Sequence, residues 1–118
     1  MLFLQYTSEN KPQMANYYSL KNKAAELPKI TTKPMFGYQC HSASGKFFVG
    51  FSNKNDWQVI VRLPKEEQKI AIKTNGIKSF SHGAKSGWIE IDTSQVTTTN
   101  ALKWVKKGYE YAKILAKK

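Results

Sequence analysis

The sequence predicts an α+β fold, an antiparallel sheet with helices packed on it, and three observations carry that prediction. Apolar residues recur at helical spacing in three separated segments, β-prone runs lie between them, and turn residues divide those runs into hairpins. The expected order is α-β-β-β-α-β-β-α, with one extra strand allowed for. At 118 residues the chain is shorter than a typical domain of about 150 residues, so a single core is expected. Residues 1–12 read as an irregular lead and 13–118 as one domain.

From Gln13 to Leu27, the residues Met14, Tyr17, Tyr18, Leu20, Ala24, Ala25 and Leu27 fall at helical spacing, and Pro28 stops the helix. Ile30 to Gly37 contains Pro34, which confines that stretch to an edge strand or the start of one, with Met35 and Phe36 alternating across it. Tyr38 to His41, Phe47 to Ser52 and Trp57 to Leu63 form an antiparallel meander. Its joints are the Ser42–Lys46 loop, where Gly45 supplies a positive φ, and the Asn53–Asp56 turn. Val59 and Val61 face one way and Ile60 the other.

Pro64 suits the first turn of a second helix, with Ile70, Ala71 and Ile72 on its buried side and Asn75-Gly76 as its left-handed stop. Ser79 to His82 reads as a short strand, Gly83 to Gly87 as a loop and Trp88 to Asp92 as an alternating strand. Thr97 to Asn100 offer caps for the last helix, whose apolar face is Ala101, Val105, Gly108, Ala112 and Leu115. Lys103, Lys106, Lys107, Lys113 and Lys117, with the acid Glu110, line its other face.

Composition narrows the function classes. Hydrophobic residues at 41% and aromatics at 13% suffice for a packed core and exclude wholesale disorder. The net charge of +11 admits nucleic acid or another anionic partner, as does compositional drift toward lysine. Arg62 is the one arginine among 19 basic residues. Lysine is a point charge on a flexible stem, without the planar fork that reads guanine edges, so nucleic acid would bind weakly and with little sequence preference. The surplus is +5 over residues 1–63 and +6 over 64–118, so no basic tail is present. The lone Cys40 and the short apolar Met1–Leu4 segment predict a cytoplasmic protein without a signal peptide. No apolar run approaches the roughly 18 residues that span a bilayer.

Catalytic and metal chemistry find little support. Cys40 and His41 are strand neighbours and point to opposite faces. His41, His82 and Asp92 have no metal-ligand spacing, and Gly45-Lys46 lacks the surroundings of a phosphate loop. No catalytic residue, metal or cofactor is expected. Trp57, Trp88 and Trp104 read as core or half-buried; base-stacking platforms would need a basic surround, for which Arg62 and Lys85 are candidates.

The run Leu27-Pro28, Thr31 to Gly37 with its core Pro34-Met35-Phe36-Gly37 resembles the Met-Phe-Gly signature of the N-terminal domain of TfoX/Sxy competence regulators. Gly45 to Phe48, Trp57 to Leu63, Asn75 to Phe80 and Trp88 to Asp92 extend the resemblance over residues 14–115. Tyr38 departs from it where the family often has a second glycine, and the aromatic pair before the last helix is reduced to Trp88. The resemblance implies a stand-alone domain, similar also to YjbR/MmcQ-like proteins, with a regulatory or binding role in place of catalysis.

The functional expectation is therefore a non-enzymatic regulatory or binding domain acting through a protein partner, self-association or weak nucleic-acid contact. The lysines Lys103, Lys106, Lys107, Lys113 and Lys117 are the candidate contact residues. A small-molecule-binding or catalytic domain of unknown substrate is the alternative.

Overall fold

The structure, a computed structural model, describes residues 16–54 and 56–118. The expected lead over 1–12, the helix start with Met14, and Asn55 of the second turn lie outside the described residues. Helix α1 covers 16–25. It is followed by β1 (Ile30–Met35), β2 (Tyr38–Ala43), β3 (Lys46–Ser52), β4 (Gln58–Arg62), α2 (Lys65–Ala71), β5 (Ile77–Ser79), β6 (Trp88–Asp92) and α3 (Thr98–Ala116). A single 3-10 turn, Ala84–Ser86, lies between β5 and β6. The strands form one antiparallel sheet in the order β1-β2-β3-β4-β6-β5. The α+β class is as predicted, and the extra strand is β1, at the sheet edge. Pro34 lies in β1, where a missing N–H is tolerated on the side that no described strand pairs with.

Strand alternation sends one set of side chains to the helices. Ala43, Phe48, Val49, Phe51, Val59, Val61, Ile77, Ile89 and Ile91 form the sheet's contribution to the core. They meet Tyr17, Leu20 and Ala24 of α1, Ala71 of α2, and Ala101, Trp104, Val105 and Ala112 of α3. The three described helices thus share one face of the sheet. Polar ties fix their positions. Tyr17 donates to the Ser52 carbonyl at 2.5 Å, and Tyr109 to that of Pro28 at 2.7 Å. Asn16 links α1 to α3 by donating to the Thr93 carbonyl and accepting from Thr98 Oγ1. A Cβ on Gly108 would lie 2.8 Å from Val61 Cγ1 and 2.9 Å from the Arg62 carbonyl, so α3 rests almost directly on β4.

Several local expectations are corrected. Phe36 does not alternate with Met35 along a strand: Phe36 and Gly37, with φ of 54° and 83°, are the two residues of the β1–β2 turn. A turn with positive φ at both positions matches the twist of the strands it joins. Ser44 and Gly45 repeat this geometry at 54° and 82° between β2 and β3, so these two strands run closer to their turn than expected. In α2 the buried side is Gln68 and Ala71, while Ile70 and Ile72 are exposed. Gln68 is drawn inward because its amide donates to the carbonyls of Ala84 and Trp88. The helix ends at Ala71, and Gly76 instead turns the chain into β5.

Strand β5 is Ile77–Ser79, because Ile77 buries opposite Ile91, leaving Phe80 to His82 free to fold away. Thr97 caps α3, accepting from the Asn100 N–H at 3.2 Å. Trp104 and Tyr109 join the expected apolar face, while Leu115 is only half-buried as the helix runs past the sheet. No helix among the described residues is long and apolar enough to cross a membrane.

Candidate functional site: an aromatic cavity on the open sheet face

The sheet face turned away from the helices carries Lys33, Cys40, Gly50, Ile60, Glu90 and Lys78 in one cross-strand row. Gly50 makes the middle of that row low: a Cβ there would lie 3.0 Å from both Cys40 Sγ and Ile60 Cγ1. Met35 and Tyr38 come from the first hairpin, Phe47 from β3 and Trp88 from β6. After β5 the chain turns back over this face, held by a 3.0 Å hydrogen bond from the Phe80 N–H to the Trp88 carbonyl. Phe80 packs edge to face on Tyr38.

These residues enclose a cavity of about 560 Å³, with Cys40 and Ile60 in its floor and Phe36, Lys54 and His82 among its lining. The volume falls within the range of small-ligand sites. Phe36 is 93% exposed. A bulky side chain at positive φ is strained backbone, and such strain concentrates at functional positions.

Burial sets the protonation of the groups in the cavity. Burial pushes the Cys40 thiol up from its ordinary pKa, the opposite of the shift an attacking thiolate needs. Burial, then Glu90, Asp56 and Cys40, raise Tyr38, which stays a neutral phenol. Glu90 is paired with Lys78 at 3.8 Å.

The histidines and Asp92 do not converge. His41 faces the helices, its Nδ1 2.9 Å from Thr32 Oγ1 and its Nε2 without a hydrogen-bond partner among the described residues. His82 lines the cavity. The Asp92 carboxylate caps a turn, accepting from the N–H and hydroxyl of Ser94 and from Gln95. No three His, Cys, Asp or Glu side chains gather among the described residues. Cys40 and His41 do lie on opposite faces, and Cys40 shares its cavity with His82, a pairing the sequence did not suggest.

The lysines of α3 form a separate surface. Lys107 pairs with Glu67 at 3.6 Å and Lys113 with Glu110 at 3.2 Å, while Lys103 lies 4.6 Å from the Trp104 ring centre. Lys106 and Lys117 are exposed. Trp104 is core, and Trp57 and Trp88 are half-buried, as expected.

No family model matches the chain, and no curated protein matches it. A crystal structure of a structural-genomics target from Pseudomonas syringae is similar in fold, with a TM-score of 0.63 over 77% of this chain and 93% of that one. At 12% sequence identity the likeness is one of fold alone.

Proposed function

We propose that the chain is a non-catalytic binding domain whose working surface is the aromatic cavity of the open sheet face. The observation that carries this is Phe36, an aromatic ring held at a strained turn position, almost fully in solvent, beside a cavity lined by Met35, Tyr38, Phe47, Phe80 and Trp88. An apolar ring in water gains nothing until a partner covers it. The cavity therefore suits a partner presenting a flat or apolar group. Met35 and Phe36 are also the centre of the Met-Phe-Gly run that resembles the TfoX/Sxy signature, and a regulatory role of that kind would act through this surface.

The test uses the anionic aromatic dye anilinonaphthalene sulfonate as probe, with near-ultraviolet circular dichroism to confirm that the protein stays native. The expected result is saturable binding at one site. A Phe36→Ser/Phe47→Ser double variant, altered at an exposed and a half-exposed position, should bind at least fivefold more weakly. No dye binding by the native protein, or binding indifferent to these changes, overturns the reading.

A further inference from the structure

Resting on that binding role, we infer that the occupant of the open face is single-stranded nucleic acid, with bases against the aromatic rings and phosphates along the flanking lysines. The rings come from three stretches of chain, Phe36 and Tyr38, Phe47, and Phe80 with Trp88, so they border the cavity from several sides. Every base has a π-face, and stacking on aromatic side chains is the sequence-tolerant half of single-strand recognition. The other half is positive charge along the same surface. Lys33 lies directly across from Cys40 on this face, Lys54 lines the cavity and Lys78 ends the cross-strand row. The acid in that row, Glu90, already faces Lys78. An anionic partner is thus matched in charge.

The chemistry also selects among anionic partners. A duplex keeps its base faces stacked, out of reach of these rings. An acidic peptide would satisfy the lysines and leave the rings without a planar partner. A face with lysines and no arginine in its row lacks bidentate base-edge reading, so discrimination among sequences is weak.

The experiment measures anisotropy of a fluorescein-labelled oligothymidylate 12-mer with the full chain at 50 and 200 mM salt, alongside the dye titration. Neutralising two to three phosphates gives a slope of about −1.4 to −2.1 in log K against log salt, roughly tenfold weaker binding at the higher salt. Lys33→Glu/Lys54→Glu should weaken binding at least tenfold. Phe36→Ser/Phe47→Ser should weaken it at least fivefold without changing the slope. Lys103→Glu/Lys106→Glu/Lys107→Glu, on the opposite layer, should change it less than threefold. Bound oligonucleotide should also slow alkylation of Cys40 in the cavity floor.

Dye binding without oligonucleotide binding at 50 mM salt overturns the inference and leaves the binding role standing. Failure of both overturns both. Equal affinity for a duplex of the same length, equal competition by polyglutamate, unprotected Cys40, or loss of binding confined to the α3 variant each overturns the inference as well.

Discussion

Tyr38 and Phe80 meet edge to face, with ring centroids 5.9 Å apart and planes at 77°. The contact joins β2 to the segment that folds back after β5, and it closes one side of the cavity. His82 extends the stack, its ring 5.5 Å from that of Phe80. A floor made by the sheet register and a wall made by one aromatic contact are therefore separable by mutation.

Phe80→Ala should open that wall. The aromatic pair contributes about 0.5–1.5 kcal/mol beyond its area, and with the apolar surface of a half-buried ring the expected loss is about 2 kcal/mol. Iodoacetamide should then modify Cys40 several-fold faster, because its cover has gone. A lower urea midpoint with an unchanged alkylation rate would show that the wall does not guard the thiol.

Gly108→Ala sets helix propensity against packing. In a free helix the change gains about 1 kcal/mol. Here the new Cβ would press on Val61 Cγ1 and the Arg62 carbonyl, and backbone yields less readily than a side-chain tip. Overpacking should win, with a net loss of about 1–3 kcal/mol in denaturant titration. A stabilised variant would mean that α3 lifts from β4 at little expense.

Val105→Asp tests the core assignment of the same helix. Val105 is fully buried, and an unpaired carboxylate there should cost more than about 3 kcal/mol. Unchanged thermal stability would contradict the packing of α3 on the sheet.

What the sequence disclosed follows from how local each signal is. Val59, Ile60 and Val61 announce a strand and its two faces within three residues, and Pro28, Pro64 and Thr97 mark helix boundaries without reference to the rest of the chain. Phe36 was hidden because Pro34-Met35-Phe36 has strand composition, whereas the turn places an aromatic where glycine or asparagine is favoured. The burial of Gln68 leaves no local signal, because its acceptors, the carbonyls of Ala84 and Trp88, lie 16 and 20 residues away. The cavity was hidden most completely. It needs Cys40, Gly50 and Ile60 in register and Phe80 folded back onto Tyr38, and no window of sequence contains those relations. The glycine-paired turn at Phe36-Gly37 was the one available signal, since an X-Gly pair between strands is a hairpin signature.

His41 should give the protein's stability a dependence on mild acid. Burial, then the charge of Lys21, hold its pKa below the ordinary 6.5, so the folded protein favours the neutral ring. The unfolded chain takes up the proton as pH falls below 6.5, while the native state resists until its own lower pKa is reached. Stability should therefore be complete above about pH 6.5 and decline as pH falls through that window. Melting temperatures at pH 7.5 and 5.0 check the sign, and His41→Gln should flatten the difference between them. An equal slope in the variant would assign the effect to other groups.

Phe36→Asn separates stability from binding. Phe36 sits at φ 54° in a two-residue turn followed by Gly37, and Asn-Gly is the pair that such a turn prefers. Removing a bulky ring from a left-handed position should relieve strain on the order of 1 kcal/mol, visible as a rise of a few degrees in melting temperature. The same change removes the exposed ring beside the cavity, so dye affinity should fall several-fold. Gain in one measurement with loss in the other is what strain retained for recognition requires. If stability stays level, the turn holds no strain at Phe36. If affinity stays level, the ring is not a contact, and the working surface lies deeper in the cavity around Tyr38, Phe47 and Trp88.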